Sequence, residues 1–447
     1  MSKKFVVIGA GVSGQGLALL ASGMGANVLV SEKKTIPDEI KKLFQDNNIA
    51  FEESHSENVF QNTDAILLSS GLPLNLPVIL EAQKRGVKMI GELDFVLPHI
   101  KSENLICVTG SNGKSTVTAL TGHIFNKAGY KSGSGGNLGT AAANFTKENF
   151  DVVVLELSSF QLARATQILN SNVSIITNLA PDHIDWHGSY ENYVASKAKI
   201  LSLRGADNWG IIQERDVEAL NPDGKIITLS WNEKPQYEFS GHIFMDKNCA
   251  WLIIANEKIK IFDYSDTTLI GAHNFENVAM SLSAYILISG NKNFDVKNLL
   301  DGFKPLPHRC EKAGELNGVI YIDDSKGTNV AASVTAMQSI HLPKIVILGG
   351  QGKGEDYAPL AEVVKCECES AILLGTEAEA INNALVKSGF KNIFRVSSME
   401  EAVDKASEIA KPGMCVLLSP ACTSWDMYPS YKKRGEHFCR LVQEKIK

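Results

Sequence analysis

The sequence predicts an α/β protein of three domains, each built on a largely parallel sheet. Three observations carry this. Short β-branched runs alternate with helical patterns along almost the whole chain, and they are apolar on both faces, as strands covered by helices on each side would be. Two glycine-rich turns each follow such a run and open a helical pattern. The length of 447 residues exceeds one ordinary domain, and length alone suggests about three.

Taken in order, the strand-like runs are "KFVVIG", "NVLVSE", "DAILLSSG", "LICVTG", "DVVVLELS", "NVSIITNLA", "KIVILGG", "SAILLG" and "MCVLLSP". They divide into residues 1–97, 98–305 and 306–447. The first segment ends near "GELDFVLPHIKSEN", where Pro98 and polar residues precede a new strand. The second opens at the glycine-rich turn after "LICV" and includes an irregular, strand-prone stretch over 209–270. It closes near "FKPLPHRCEK", where Pro305 and Pro307 break any helix. The third runs from "NGVIYIDDSKGTN" to the end. The first and third segments read as Rossmann-like units and the second as a mononucleotide-binding unit.

Composition excludes several functions. A hydrophobic share of 44% with 21% charged residues fits a soluble globular protein with large cores. The net charge is −6 and no lysine or arginine stripe forms, which argues against a nucleic-acid partner. The opening "MSKKFVVIGAGVSGQGLALLASGMG" has the lysines and apolar residues of a signal peptide, but recurring glycines and Gln15 fit a strand-turn-helix better. No run reaches the roughly 18 apolar residues of a membrane span. The eight cysteines are scattered, Cys366 and Cys368 forming the only close pair. They read as reduced thiols of a cytoplasmic protein.

Gly9, Gly11 and Gly14 form G-x-G-x-x-G after "KFVVI", and Glu32 ends the next strand. Such a turn lets a pyrophosphate approach a helix N-terminus, whether it belongs to NAD or to another nucleotide. In "VTGSNGKSTVTAL", residues Gly110, Ser111, Asn112, Gly113, Lys114, Ser115 and Thr116 read as a phosphate loop. Its backbone N–H groups would wrap phosphate oxygens, Lys114 would reach the terminal phosphates, and a hydroxyl would bind Mg²⁺. The strict motif needs glycine at 108, where Val108 stands. Glu156 ends the strand "DVVVL", at the edge where α/β sheets bind ligands; capping the next helix is the other reading. "DHIDWHG" gathers Asp182, His183, Asp185 and His187, which suit a divalent ion or a polar loop without one. Lys197 and Lys199, two apart on a helix, cannot share a face. His273, Asn274, Asn277 and Arg309 offer polar groups for a base or phosphate. Lys326, Thr328, Lys353 and Ser424 follow strand-like runs and suit a carboxylate-bearing molecule, or lie on surface loops.

Together "TGSNGKST", "GGNLG", "LELSSFQL", "DHIDWHG", "YVASKAKI", "GAHNFENVA", "PHR" and "DDSKGTN" resemble the Mur ligase family over nearly the whole chain. That family's phosphate loop has a short T-G-x-N-G-K form, so Val108 is expected. Within the family, "YIDDSKGTNVAAS" and "LSPACTSWDMYPSYKKRGEHF" resemble members that add D-glutamate. The resemblance implies ATP, two Mg²⁺ ions and the substrates UDP-N-acetylmuramoyl-L-alanine and D-glutamate. It implies Lys114 on the β- and γ-phosphates, Ser115 and Glu156 on one Mg²⁺, and His183 on a second. Lys197 matches the lysine this family carbamylates. Asn274, Arg309, Asp324 and Lys326 would contact ATP. Gly9, Gly11, Gly14, Glu32, Gly71, Asn137 and Ser159 would bind the UDP-linked substrate, and Thr328, Lys353, Ser424 and Tyr431 would bind D-glutamate. The protein is expected to be monomeric, with the C-terminal domain moving from an open to a closed state. The near rival is another ligase of the same family, adding L-alanine, a diamino acid or, in a folate relative, glutamate; an NAD(P)-dependent oxidoreductase is a more distant one that leaves Lys114 unexplained. A nucleotide-binding regulator is another.

Overall fold

The computed structural model describes the chain except residues 1, 57–58, 74, 138, 270, 305–306, 341 and 447. Leu138 of "GGNLG", Pro305, the 305/306 junction and the end of the strand-prone stretch at 270 therefore lie outside the described residues.

Among the described residues three sheets follow one another along the chain. The first has β1 (Lys4–Ile8), β2 (Asn27–Glu32), β3 (Ala50–Glu53), β4 (Ala65–Leu68) and β5 (Met89–Gly91), all parallel, in the order β3-β2-β1-β4-β5. Strand order reverses between β1 and β4, and a crevice opens there at the carboxyl ends. Helix α1 (Val12–Gly23) starts in that crevice, directly after the glycine turn, and buries Leu17, Ala18 and Ala21.

The second sheet holds β6 (Ser102–Thr109), β7 (Ser132–Gly136), β8 (Phe150–Glu156), β9 (Val173–Ile176), β10 (Trp209–Gln213), β11 (Lys225–Ser230), β12 (Gly241–Met245), β13 (Cys249–Ile254) and β14 (Glu257–Asp263). Its order is β14-β13-β12-β11-β10-β9-β6-β8-β7. Strands β12, β13 and β14 form an antiparallel extension on a parallel sheet. Val152 to Leu155 of β8 are fully buried, which explains a run with no polar alternation. The helices that matter below are α2 (Lys114–Lys127), α3 (Ser159–Arg164), α4 (Tyr190–Ser202) and α5 (Ala272–Ser289).

The third sheet contains β15 (Glu311–Leu316), β16 (Val319–Asp323), β17 (Lys344–Gly349), β18 (Cys368–Leu374), β19 (Ile393–Arg395) and β20 (Cys415–Leu418), in the order β15-β16-β20-β17-β18-β19. Among the described strand pairs of this sheet only β15–β16 is antiparallel. Along β17, Val346 and Leu348 enter one core while Ile345 and Ile347 enter the core on the opposite face. Helices α6 (Val330–Ser339) and α7 (Tyr431–Ile446) complete the elements used here.

The chain forms two compact units. One comprises Met1–Leu179, Val194–Thr267 and Glu276–Phe303, and the other Ala180–Tyr193, Thr268–Phe275 and Lys304–Lys447. The first two sheets thus share a unit. No described helix is long and apolar enough to cross a membrane.

Candidate active site

The phosphate-loop region is built at the carboxyl edge of the second sheet. Val108 of β6 pairs in register with Glu156 of β8, so the loop leaves its strand beside that carboxylate. Ser111 N–H donates to the Asn178 carbonyl at 2.9 Å, and Asn112 N–H donates to Asn178 Oδ1 at 2.9 Å. These bonds tie the turn to the end of β9 and fix its backbone. Gly113 caps α2 in the left-handed region at φ 82°, and a Cβ there would stand 2.6 Å from Asn277 Oδ1 of α5. Glycine is therefore required by both conformation and space. Ser115 and Thr116 lie in the first turn of α2, both 6% exposed.

Two lysines converge on this turn. Lys114 Nζ donates to the carbonyls of Gly110 and Ser111, each at 2.8 Å. Lys197, on α4 and 1% exposed, donates to the same Gly110 carbonyl at 2.6 Å. Lys199 instead donates to the Ala163 and Ala165 carbonyls, in keeping with the different faces of residues two apart.

Glu156 is 2% exposed, and its Oε1 accepts from Asn137 Nδ2 at 2.9 Å. The cap of α3 is Ser158, whose hydroxyl accepts from Gln161 N–H in a capping box. Glu156 is therefore not the residue that caps the following helix. Hard oxygens from Ser115 and Glu156 at one sheet edge suit Mg²⁺. Ser159 sits in the first turn of α3, 3% exposed.

The glycine turn of the first sheet lies in the same unit. Gly9 has φ 94°, Gly11 caps α1, and Gly14 packs against the Gly9 carbonyl. Glu32, at the end of β2, accepts from Ala10 N–H at 2.8 Å and Lys34 N–H at 3.1 Å. Gly71 follows β4 with φ 81°, and a Cβ there would meet nothing within 4 Å.

In the other unit, Lys353 Nζ donates to Asp182 Oδ1 at 2.7 Å, both groups buried. Asn329 Nδ2 donates to Asp182 Oδ2 at 3.2 Å, and His183, at φ 54°, has Nε2 3.7 Å from that oxygen. Burial pushes Glu355 up to about 7; Asp182 adds to the rise while the Val330 N–H and Lys353 oppose it. Lys353, expected to hold a substrate carboxylate, here lies among protein carboxylates. Asp324 follows β16 and accepts from Ser419 Oγ at 2.6 Å. Burial raises it to about 7 against that bond and the Arg309 charge. Lys326 Nζ stands 4.2 Å from the Tyr431 ring centre, a cation–π distance. Thr328 N–H donates to the Lys326 carbonyl at 2.8 Å, and Asn274 N–H donates to Gly271. Burial lowers His273, with the Arg309 charge adding. Ser424 is 2% exposed, and its hydroxyl has no protein partner among the described residues.

Two site-shaping residues escape sequence reasoning. Arg434 on α7 donates to Ser325 Oγ and O, Thr423 O and Cys422 O at 2.9–3.2 Å. It thereby joins the turn after β16 to the segment carrying Ser424. Its signal was the "KKRG" of the final motif, where Gly435 admits close packing. Glu276 on α5 accepts from Gln213 Nε2 and Trp231 Nε1, both at 2.9 Å. No spacing rule marks it.

Three domain profiles match: "Mur ligase MurD-like, N-terminal domain" over 3–91, "Mur ligase middle domain" over 108–285 and "Mur ligase, glutamate ligase domain" over 308–422. The chain belongs to the Mur ligase family, whose members are ATP-dependent, amide-forming enzymes. Among its relatives is the UDP-N-acetylmuramoylalanine–D-glutamate ligase of Bacteroides thetaiotaomicron, 32% identical over 99% of this chain and 100% of that one. The enzyme of the same name from Clostridioides difficile is 34% identical over 98% and 97%. Among solved structures, the UDP-N-acetylmuramate–alanine ligase MurC of Thermotoga maritima matches in fold with a TM-score of 0.61, at 17% identity and 99% coverage of both chains. A pseudomurein peptide ligase type C from Methanothermus fervidus matches with a TM-score of 0.61, at 20% identity and full coverage of both.

Proposed function

We propose that the protein joins D-glutamate to UDP-N-acetylmuramoyl-L-alanine at the expense of ATP, a step in peptidoglycan precursor synthesis. One observation carries the reading: a phosphate loop, Glu156 and Lys197 converge at one sheet edge of a chain alike, end to end, to D-glutamate ligases. The L-alanine carboxylate attacks the γ-phosphate, giving an acyl phosphate and ADP. The D-glutamate amine then attacks that carbonyl, and the tetrahedral intermediate collapses to amide and phosphate.

In the first step two anions approach, so charge must be offset. Lys114 and the loop N–H groups hold the β- and γ-phosphates. Mg²⁺, held by Ser115 and Glu156, would neutralise spreading charge on the phosphates. Lys197 as a carbamate would offer an anionic oxygen to metal where its ammonium would repel it. His183 keeps the second-ion role that the resemblance assigns. Gly9, Gly11, Gly14, Glu32, Gly71, Asn137 and Ser159 bind the UDP-linked substrate; Asn274, Arg309, Asp324 and Lys326 contact ATP. Thr328, Lys353, Ser424 and Tyr431 bind D-glutamate, for which Lys353 must exchange Asp182 for a substrate carboxylate. In this reading the labour divides among residues 1–97, 98–305 and 306–447, in a cytoplasmic monomer.

The test is incubation with ATP, Mg²⁺, UDP-N-acetylmuramoyl-L-alanine and labelled D-glutamate. Labelled UDP-dipeptide is expected. Phosphate release driven by L-alanine, L-lysine or meso-diaminopimelate in place of D-glutamate would overturn the substrate assignment.

A further inference from the structure

Arg164 is the last residue of α3, the helix that begins just past Glu156 and carries Ser159 in its first turn. Its guanidinium bonds to the turn that follows β4. Nη1 donates to the Ser69 carbonyl at 2.7 Å, and Nη2 donates to the Leu72 carbonyl. These carbonyls frame Gly71 in the turn that follows β4 of the first sheet. The Ser69 hydroxyl in turn donates to Ile8 O at 2.6 Å, immediately before the glycine turn.

A second link runs beside the first. Gln161, three residues before Arg164 and so on the same helix face, donates through Nε2 to Glu92 Oε2 at 3.1 Å. That oxygen also accepts from Ser13 Oγ at 2.6 Å, and Ser13 Oγ accepts from Ser70 N–H at 3.2 Å. Glu92 is 6% exposed. Gly91 lets α3 come close, since a Cβ there would stand 3.2 Å from Arg164 Cβ. Burial lowers Arg164 to about 10, opposed by the Glu92 charge, so the guanidinium remains a cation at neutral pH.

We propose that Arg164 and Glu92 are positioning residues for the UDP-linked substrate. They brace the 69–72 turn, and through Ser13 the start of α1, against the helix that follows Glu156. A planar guanidinium suits this because its fork can serve two carbonyls at once, which an ammonium point charge does with less geometric control. The turn carrying Gly71 is then held from the sheet that binds ATP. The inference rests on the proposed substrate reading.

Two measurements test it. Removing Arg164 takes away two charge-assisted bonds, so Arg164→Ala should raise KM for UDP-N-acetylmuramoyl-L-alanine by about tenfold or more. KM for ATP and kcat at saturation should stay within about twofold, the split expected for lost positioning. Arg164→Lys should fall between the two, and Glu92→Gln should act in the same direction. Hydrogen exchange of the amides at 70–72 in the full chain should quicken in Arg164→Ala whether or not substrate is present. Unchanged exchange there, or equal increases in both KM values, would overturn the proposal. Should wild type make no UDP-dipeptide, the functional reading fails, while exchange at 70–72 still decides the brace. If Arg164→Ala does not fold, Arg164→Lys and Glu92→Gln carry the same two readouts.

Discussion

Lys197 donates to the Gly110 carbonyl of the glycine-rich loop, so its loss acts on loop geometry as well as on any carbamate chemistry. Lys197→Ala is expected to lower turnover on the order of a hundredfold, as loss of a group that organises transition-state charge does. Formate or acetate should restore part of the amide product. Full activity in the alanine variant would remove the carbamate. Asp324 has a folded pKa raised from 3.8 to about 7 by burial. Its fold-stabilising contribution is complete below the unfolded value and is lost as pH rises through the folded one. Asp324→Asn should therefore flatten the decline in urea stability between about pH 4 and pH 7. A decline of unchanged slope would assign it to other groups. The placement of Lys114 at a strand-to-helix turn and of Glu156 at a strand end was legible, because residue type and local pattern suffice to mark both positions. Arg434 was not, because its role lies in four carbonyl and hydroxyl partners that burial brings to it. The Lys353–Asp182 pair joins residues 171 positions apart, a distance no local pattern bridges.

Strands β1, β2, β4, β6, β8, β9, β17, β18 and β20 were legible as elements because their central residues are buried, which leaves unbroken β-branched runs; β3, β15 and β19, with few buried residues, were not. The junction of strand and helix was less legible. Glu156 ends β8 and Ser158 follows two residues on, and either type can serve a helix start; only the hydrogen bond to Gln161 N–H assigns the cap to Ser158. Ser158→Ala should cost about 1 kcal/mol of stability, read from urea unfolding, as loss of an N-cap does. At α2 the demand is steric. Gly113→Ala must bear a left-handed φ and displace the Asn277 amide, so a loss of about 1–3 kcal/mol is expected. ATP affinity, measured by calorimetry, should weaken alongside it. An alanine variant that binds ATP as wild type does would show that the turn can reform another way.

At the scale of the molecule, the three parallel-rich sheets were legible from alternation of strand and helix patterns, as was the family from its motifs. The grouping of 180–193 and 268–275 with the C-terminal residues was not, because it depends on contacts distant in sequence. The proposed division of binding makes a direct expectation. UDP-N-acetylmuramoyl-L-alanine alone should slow hydrogen exchange at 9–14 and 69–72, and an ATP analogue alone at 110–116. Slowing of 110–116 by the UDP compound alone would reverse the assignment.

The nine-stranded sheet ends on β14, whose outer backbone has no further strand beside it among the described residues. Along it Lys258 and Lys260 are exposed while Ile259 and Ile261 are buried. An open edge of this kind invites a second copy to add its own strand, and these lysines, ion-paired to Glu233 and Asp263 at 2.7 and 2.8 Å, line it with charge that docking would have to desolvate. The extension by which this sheet outgrows its parallel core thus carries its own guard against polymerisation.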